Sequence, residues 1–345
     1  MRYMIAGATA AWLVATAALA DDTGDRTTAL FVSEQPLEIT LAGPIQTIAR
    51  SADRSTDPHP ATLALAGETH GIELAARGVS RRKRENCSFP PMRIAVSQKA
   101  AETSILHRQG SLKLVTHCNQ RASSDQTLLR EYATYRLYNA ITPESLKARL
   151  VRVTYVDGGT ALDTRWGFLI EDADDAARRI ARKEVDIGTF EFGALNRQDA
   201  ARYALFQYMV GNTDWDMTQG PDAQDCCHNS KVFGASKDAT SDLTPVPYDF
   251  DNAGLVDASY AAPNAALPIV SVKVRLYRGY CALNDDVLVQ AGEFRRARGT
   301  IHAQLDSVPG LEPRSREAMR KYLDGFFERI ATDDDVRKNL LRKCR

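Results

Sequence analysis

The chain has 345 residues, with 44 Lys+Arg set against 44 Asp+Glu and therefore no net charge. That balance argues against nucleic acid or an anionic lipid surface as its main partner. The length suffices for a substantial apolar core, organised as one two-lobed domain or as two smaller ones.

Residues 1–20 read as a cleavable secretory signal. Arg2 precedes an apolar run containing Leu13, Val14 and Leu19, and the small-residue triplet Ala18-Leu19-Ala20 stands just before Asp21. The run is Ala-rich and shorter than the roughly 20 apolar residues of a membrane anchor. The expectation is a mature chain that begins near Asp21, is periplasmic or secreted, and has no membrane span once the signal is removed.

From residue 31 to 96 the pattern is strand-like, with alternation in Leu37-Glu38-Ile39-Thr40-Leu41 and punctuation at Gly43-Pro44, Gly67 and Gly78. The basic run Arg81-Arg82-Lys83-Arg84, followed at once by Glu85, reads as a solvated loop. Another strand is expected over 111–116. A helix over 125–139 follows, with Ser123 and Ser124 as candidate caps. Strands over 149–156 and 165–170 flank Asp157-Gly158-Gly159, which predicts a hairpin with a loop longer than the tightest type. The clearest helix runs from an Asn196 cap to a stop at Gly211. Beyond it come a short strand around Lys231-Val232-Phe233, another ending in Pro247-Tyr248-Asp249-Phe250-Asp251, and helical spacing over 285–306 and 315–330. Strands first and helices later predict an α+β protein with a β-rich front and a helical back.

Six cysteines form an even set, which in an exported chain favours disulfides. Cys87–Cys118 would tie together segments of the β-rich part, and Cys281–Cys344 would pin the C-terminal helix. Adjacent Cys226-Cys227 is poorly spaced for zinc.

The P-loop, GxGxxG, HExxH and GxSxG motifs are all missing. Acidic residues gather instead after the clearest helix: Asp214 and Asp216 in Gly211-Asn212-Thr213-Asp214-Trp215-Asp216, then Asn229, then Asp249 and Asp251. Oxygen ligands of this kind suit Mg2+ or Mn2+ and phosphate partners rather than zinc. His228 reads as a structural histidine. Upstream, Lys113 lies on a strand and Glu131 on the following helix. The order Lys113, Glu131, Asp214, Asn229, Asp249 is the order in which a kinase-type phosphotransferase supplies its phosphate-holding lysine, orienting glutamate, loop aspartate, metal-binding asparagine and metal-binding aspartate.

Over roughly residues 112–254 the chain resembles the spore-coat-protein-H-type (CotH-like) atypical kinases. The likeness is carried by Leu112-Lys113-Leu114-Val115, Leu129-Arg130-Glu131, Trp166-Gly167-Phe168-Leu169-Ile170-Glu171-Asp172, Gly211-Asn212-Thr213-Asp214 and Pro247-Tyr248-Asp249-Phe250-Asp251. The resemblance implies a two-lobed protein-kinase-like fold, with a β-rich lobe over 21–172 and a helical lobe over 173–345. It also implies ATP as phosphoryl donor and a protein or small-molecule hydroxyl as acceptor. Asp214, Lys113 and Glu131 would be catalytic, Lys113 and Glu171 would border the nucleotide, and Asn229, Asp249 and Asp251 would hold the metal. Lys113 is expected to pair with Glu131. The sequence departs from ordinary kinases in lacking an HRD triplet and a glycine-rich loop before Lys113, and in placing Asp251 where a DFG motif has Gly. Two other functions compete: an inactive pseudokinase-type binding module, and a metal-dependent hydrolase using the same acids. Mass spectrometry of the exported protein is expected to find its N-terminus at or near Asp21, with residues 1–20 removed.

Overall fold

The computed structural model describes residues 26–220 and 226–345, so the signal segment lies outside the described residues. In chain order the first part comprises α1 (Ala29–Val32), β1 (Leu37–Ala42), α2 (Ile45–Ser51), β2 (His59–Leu65), β3 (Glu68–Ala76), β4 (Met92–Val96), β5 (Ser111–Val115), α3 (Ala122–Asn139), β6 (Ala148–Asp157) and β7 (Thr160–Ile170). The second comprises α4 (Ala173–Arg179), β8 (Lys183–Glu184), α5 (Arg197–Val210), β9 (Ser230–Gly234), β10 (Thr244–Pro247), α6 (Asn284–Asp306), α7 (Pro313–Arg329) and α8 (Asp333–Asn339). The α+β class and the division into a β-rich part and a helical part are as expected.

Strands β1 to β7 close into a barrel in the order β1-β2-β3-β4-β5-β7-β6. Closure depends on β1, which pairs antiparallel with β2 on one side and parallel with β6 on the other. Side chains alternate across the barrel wall, as the two-residue period of a strand requires. Leu112 and Leu114 point inward with Leu63, Ile72, Leu74, Ile94 and Val153, forming one apolar core. The other face of β5, bearing Lys113 and Val115, looks outward. That face is not solvated: Val115, Phe168 and Ile170 pack into a second core with α3, α5, α6 and α7. The cleft described below lies where the two cores meet.

Several local details differ from expectation. The stretch following Gly43-Pro44 forms the short helix α2, which buries Ile45 and Ile48 three residues apart. Helix α3 begins at Ala122 rather than 125, and neither serine caps it. Ser124 Oγ donates instead to Asn119 Oδ1 (2.8 Å), while Asp125 in the first turn pairs with Arg165 (3.1 Å). The β6–β7 hairpin is tighter than expected, since Asp157 pairs directly with Thr160. Gly158 and Gly159, both at positive φ (56° and 82°), fill the two-residue turn. The basic run is not a solvated loop, because Arg81 is buried and Arg82 Nη1 donates to Ala52 O (2.9 Å) at the end of α2. Helix α8, which the periodicity missed, starts with a Thr332/Asp335 capping box.

Both proposed disulfides are present, Cys87–Cys118 and Cys281–Cys344, and Cys226 is bonded to Cys227. The second brings the chain end against the helical part, where Cys281 N also donates to Arg345 O (2.9 Å). Among the described residues no helix is long and apolar enough to cross a membrane.

Helix α5 is bounded as its sequence predicts. Asn196 Oδ1 accepts from Asp199 N (3.1 Å), and Gly211 adopts the left-handed conformation at φ 68°. A methyl group at Gly211 would overlap the Tyr322 hydroxyl. Gly211→Ala is therefore expected to lower unfolding stability by about 2 kcal/mol or more through combined backbone strain and overlap, measured as a reduced urea midpoint.

Candidate active site

A cleft of about 480 Å³ opens between the outer face of the barrel and the loops that follow α5 and β10. Its volume is in the range of small-molecule sites. The barrel side contributes Arg77 and Arg81 from the β3–β4 connection and Lys113 from β5, and α3 contributes Glu131 and Tyr135 one turn apart. The opposite side presents Asp214, His228, Asn229, Asp249, Asp251 and Asn252.

Each acidic position is set by a rigid element. After Gly211 the chain turns sharply, and Asn212 Oδ1 accepts from Asp214 N (3.0 Å). Trp215 is buried against Tyr203 (5.1 Å between centroids), and Arg278 donates to Thr213 O (2.7 Å) and Trp215 O (2.6 Å), locking the loop from behind. The Asp214 carboxylate accepts from His228 Nε2 (2.7 Å), Asn229 Nδ2 (3.2 Å) and Asn252 Nδ2 (3.3 Å). Burial works against its ionisation, but these hydrogen bonds, led by His228, outweigh it and hold the carboxyl below its usual pKa. The same contact raises the pKa of His228 against a smaller opposing effect of burial. Asp216 faces away from the chemistry, accepting from Thr218 N (3.0 Å) and Arg345 Nη2 (3.0 Å).

Strands β9 and β10 deliver the remaining acids. Asn229 immediately precedes β9 and Asp249 follows β10, and their pairing (Ser230 opposite Pro247, with Tyr248 N donating to Asn229 O at 3.1 Å) sets the two side by side. Both sit in the left-handed region, at φ 51° and 61°, which Asn and Asp tolerate better than most residues. The Asp249 amide donates to Tyr135 Oη (3.0 Å), so α3 holds this turn. Phe250 is fully buried against Tyr135 (4.8 Å) and Phe206 (5.7 Å), which anchors the two flanking aspartates at the cleft. Asp251 accepts from Tyr260 Oη (3.2 Å). Burial, and then the neighbouring Asp249 charge, push the Asp251 carboxyl up to about 7.

The expected Lys113–Glu131 pair does not form. Glu131, 3% exposed, pairs with Arg81 at 3.7 Å, because the barrel places the β3–β4 connection over α3. Burial and then Asp251 raise the Glu131 pKa well above its ordinary value, and Arg81 offsets only part of this. Lys113 is half-buried and points into the cleft with its Nζ 5.2 Å from the Tyr248 ring centroid. Among the described residues it has no ion-pair partner within 4.0 Å; its neighbour Lys231 takes Glu184 instead (2.6 Å). Burial, with repulsion from Lys231 and Arg77, lowers the Lys113 pKa.

Glu171 is not at the cleft. Its carboxylate, fully buried, accepts from Lys147 N (2.9 Å) and pairs with Arg179 (3.0 Å), so it joins β6 to α4. Its neighbour Ile170 is the residue of that strand that lines the cleft. The strand alternation offered this sign, since Ile170 and Glu171 side chains point to opposite faces.

For a divalent cation the donor set is hard oxygen: the Asp249 and Asp251 carboxylates and the Asn229 amide oxygen, left free to turn away because its nitrogen is committed to Asp214 O (2.7 Å). Among the described residues no group of three or more His, Cys, Asp or Glu is spaced to enclose a metal. Oxygen donors of this kind suit a hard divalent cation rather than zinc. Sequence reasoning missed Arg77, Arg81, Tyr135, His228, Asn252 and Tyr260. Tyr135 was accessible as the residue one helical turn after Glu131; Arg81, inside a run of basic residues, carried no such sign.

No family model matches the chain, and no curated protein matches it. Among solved structures it is similar to the Helicobacter pylori proinflammatory kinase CtkA (TM-score 0.39, 10% identity, covering 72% of this chain and 90% of that one). It is also similar to the HipA–HipB toxin–antitoxin system in complex with its operator DNA from Shewanella oneidensis MR-1 (TM-score 0.36, 13% identity, covering 66% of this chain and 60% of that one).

The Asp251 shift has a definite sign. Its folded pKa is above the unfolded value of 3.8, so the folded state binds the proton more tightly. Its favourable contribution is complete below about pH 4 and is lost as pH rises through about 7. In metal-free buffer, Asp251→Asn is therefore expected to be more stable than the parent at pH 7.5, with the gap shrinking towards pH 4.5. Urea midpoints at the two pH values, compared between parent and variant, measure this.

Proposed function

We propose that the protein is an exported kinase-type phosphotransferase that binds ATP and a divalent cation in this cleft and transfers a phosphoryl group to a hydroxyl-bearing acceptor. The observation that carries the reading is Lys113: a half-buried ammonium without an ion pair among the described residues, facing oxygen ligands across a cleft of nucleotide-accepting size. A cation held in that way calls for an anion from outside the chain. The acids opposite are half-buried side by side, so that burial and then the Asp249 charge raise the Asp251 carboxyl, and they call for a cation. A nucleotide with its metal meets both demands at once.

In this reading Lys113 holds the donor phosphates, while Asn229, Asp249 and Asp251 hold Mg2+, which when bound draws charge from the phosphate oxygens. Asp214, kept ionised and fixed by three donors, orients the acceptor hydroxyl and takes its proton. The acceptor oxygen bonds to phosphorus as the bond from phosphorus to the departing diphosphate breaks. His228 positions Asp214. The hydrolase alternative gives no role to Lys113 or Glu131, yet both line the same cleft as the acids. The pseudokinase alternative is separated by turnover alone. Disulfides are compatible with an oxidising compartment, which supports export.

The test is calorimetric and thermal. Magnesium at about 100 times its Kd is expected to stabilise the folded protein by roughly 2.7 kcal/mol, and Asp249→Ala to abolish that gain. Lys113→Ala is expected to weaken binding of ATP by about 10-fold or more, as loss of a charge-assisted contact implies, while leaving the response to magnesium alone in place. Transfer of label from the γ-phosphate of ATP, lost in Asp214→Asn with ATP binding retained, separates an enzyme from an inactive module.

A further inference from the structure

The connection from β3 to β4 enters the cleft, yet nothing in the phosphotransfer reading uses its charged groups. Arg81 is 8% exposed. Its Nη2 donates to Thr116 O, Nη1 is 3.7 Å from Glu131 Oε2, and Nε has no hydrogen-bond partner among the described residues. A guanidinium has five N–H donors in a planar fork. Here one is well used, and the carboxylate nearby stands beyond normal hydrogen-bond length. Beyond these contacts its guanidinium lies 5.8 Å from the Tyr260 ring centroid; with Arg77 and Lys113 lining the same space, a buried arginine with so few acceptors suits an anion with several oxygens.

The position of Arg81 is built. Asn86 Nδ2 donates to Ser80 O (2.9 Å) and Ser80 Oγ (3.1 Å), closing the connection on itself just before Arg81. The next residue after Asn86 is Cys87, bonded to Cys118 beyond the end of β5. Phe89 N donates to Cys118 O (3.1 Å), and Thr116 Oγ1 donates to Pro90 O (2.8 Å), so the strand end that accepts from Arg81 is tied to the same segment. Arg82 fixes the other side through Ala52 O (2.9 Å). The disulfide therefore staples a loop whose inward-pointing group is an arginine.

We propose that this disulfide-stapled connection, residues 77–87, is the element that grips the phosphate oxygens of the ligand, with Arg81 as its binding group and Glu131 as the residue that positions it. The inference rests on the phosphotransfer reading for the identity of the ligand, but its central claim is an oxyanion site. The loop would stand where other phosphate-binding folds use a glycine-rich turn, with a side-chain fork in place of backbone N–H groups. Because Cys87–Cys118 holds it, the site would require the oxidised protein.

The experiment uses the full mature chain and calorimetry with three probes in the presence of magnesium: pyrophosphate, ATP and adenosine. Arg81→Gln is expected to weaken pyrophosphate and ATP by about 10-fold or more, to leave adenosine within about twofold, and to be partly rescued in Arg81→Lys. Arg314→Gln, which removes an exposed charge on α7 outside the cleft, is expected to bind all three as the parent does. A Cys87→Ser, Cys118→Ser double variant, verified as folded by its thermal transition, is expected to repeat the loss for pyrophosphate. Parent-like pyrophosphate and ATP binding by Arg81→Gln overturns the proposal and leaves the phosphotransfer reading standing. Pyrophosphate binding that depends on Arg81, in a parent that does not bind ATP, upholds the oxyanion site and sinks the nucleotide reading. A parent that binds neither probe overturns both.

Discussion

One buried ion pair joins the barrel wall of the cleft to the helix that crosses it. Arg81 comes from the barrel and Glu131 from a helix packed in the other core, and the two meet at 3.7 Å where both are almost fully buried. An unpaired charge at such a place costs several kcal/mol, and the contact links the β3–β4 connection to α3. One turn further along α3, Tyr135 accepts from the amide of Asp249. One helix thus touches both the loop that carries Arg81 and the turn that carries Asp249.

The acidic side is organised by a different principle. Asp214 is enclosed by hydrogen-bond donors from His228, Asn229 and Asn252, which stabilise its charged form despite burial. Asp251, which follows β10, has one tyrosine donor and an anionic neighbour; burial, and then the Asp249 charge, push its carboxyl up to about 7. Two carboxylates in one cleft are thus driven in opposite directions by their surroundings. Under the proposed function such a separation would suit different tasks, with Asp214 handling a proton and Asp251 facing a cation. The left-handed backbone at Asn229 and Asp249 keeps both side chains at the mouth of the β9–β10 ladder.

The cysteines contribute to the same geometry. Cys87–Cys118 joins the loop that carries Arg81 to the end of the strand that carries Lys113, and Cys281–Cys344 closes the chain end on the helical part. Near that end, Arg345 reaches Asp216, two residues beyond Asp214. Both bridges therefore support the walls of the cleft as well as the global fold.

Features that depend on neighbours along the chain are legible in the amino-acid order. The Asn196 cap and the Gly211 stop define α5 within one residue, because capping and left-handed termination are local chemistry. The same holds for the strand bearing Lys113, the helix bearing Glu131, and Asp214, Asn229, Asp249 and Asp251, all of which line one cleft. The sequence also pointed to the two long-range disulfides. Which charges meet follows from long-range packing. Barrel closure through the parallel β1–β6 pairing is a contact between distant segments that hydrophobic periodicity does not encode, since periodicity reports the face of an element and not its partner. Closure carries Arg81 to Glu131, leaves Lys113 facing the cleft without a counter-charge among the described residues, and turns Glu171 away to Arg179. A run of four basic residues looks the same in sequence whether it is solvated or buried; only the packing of α3 against the barrel made Arg81 part of the site.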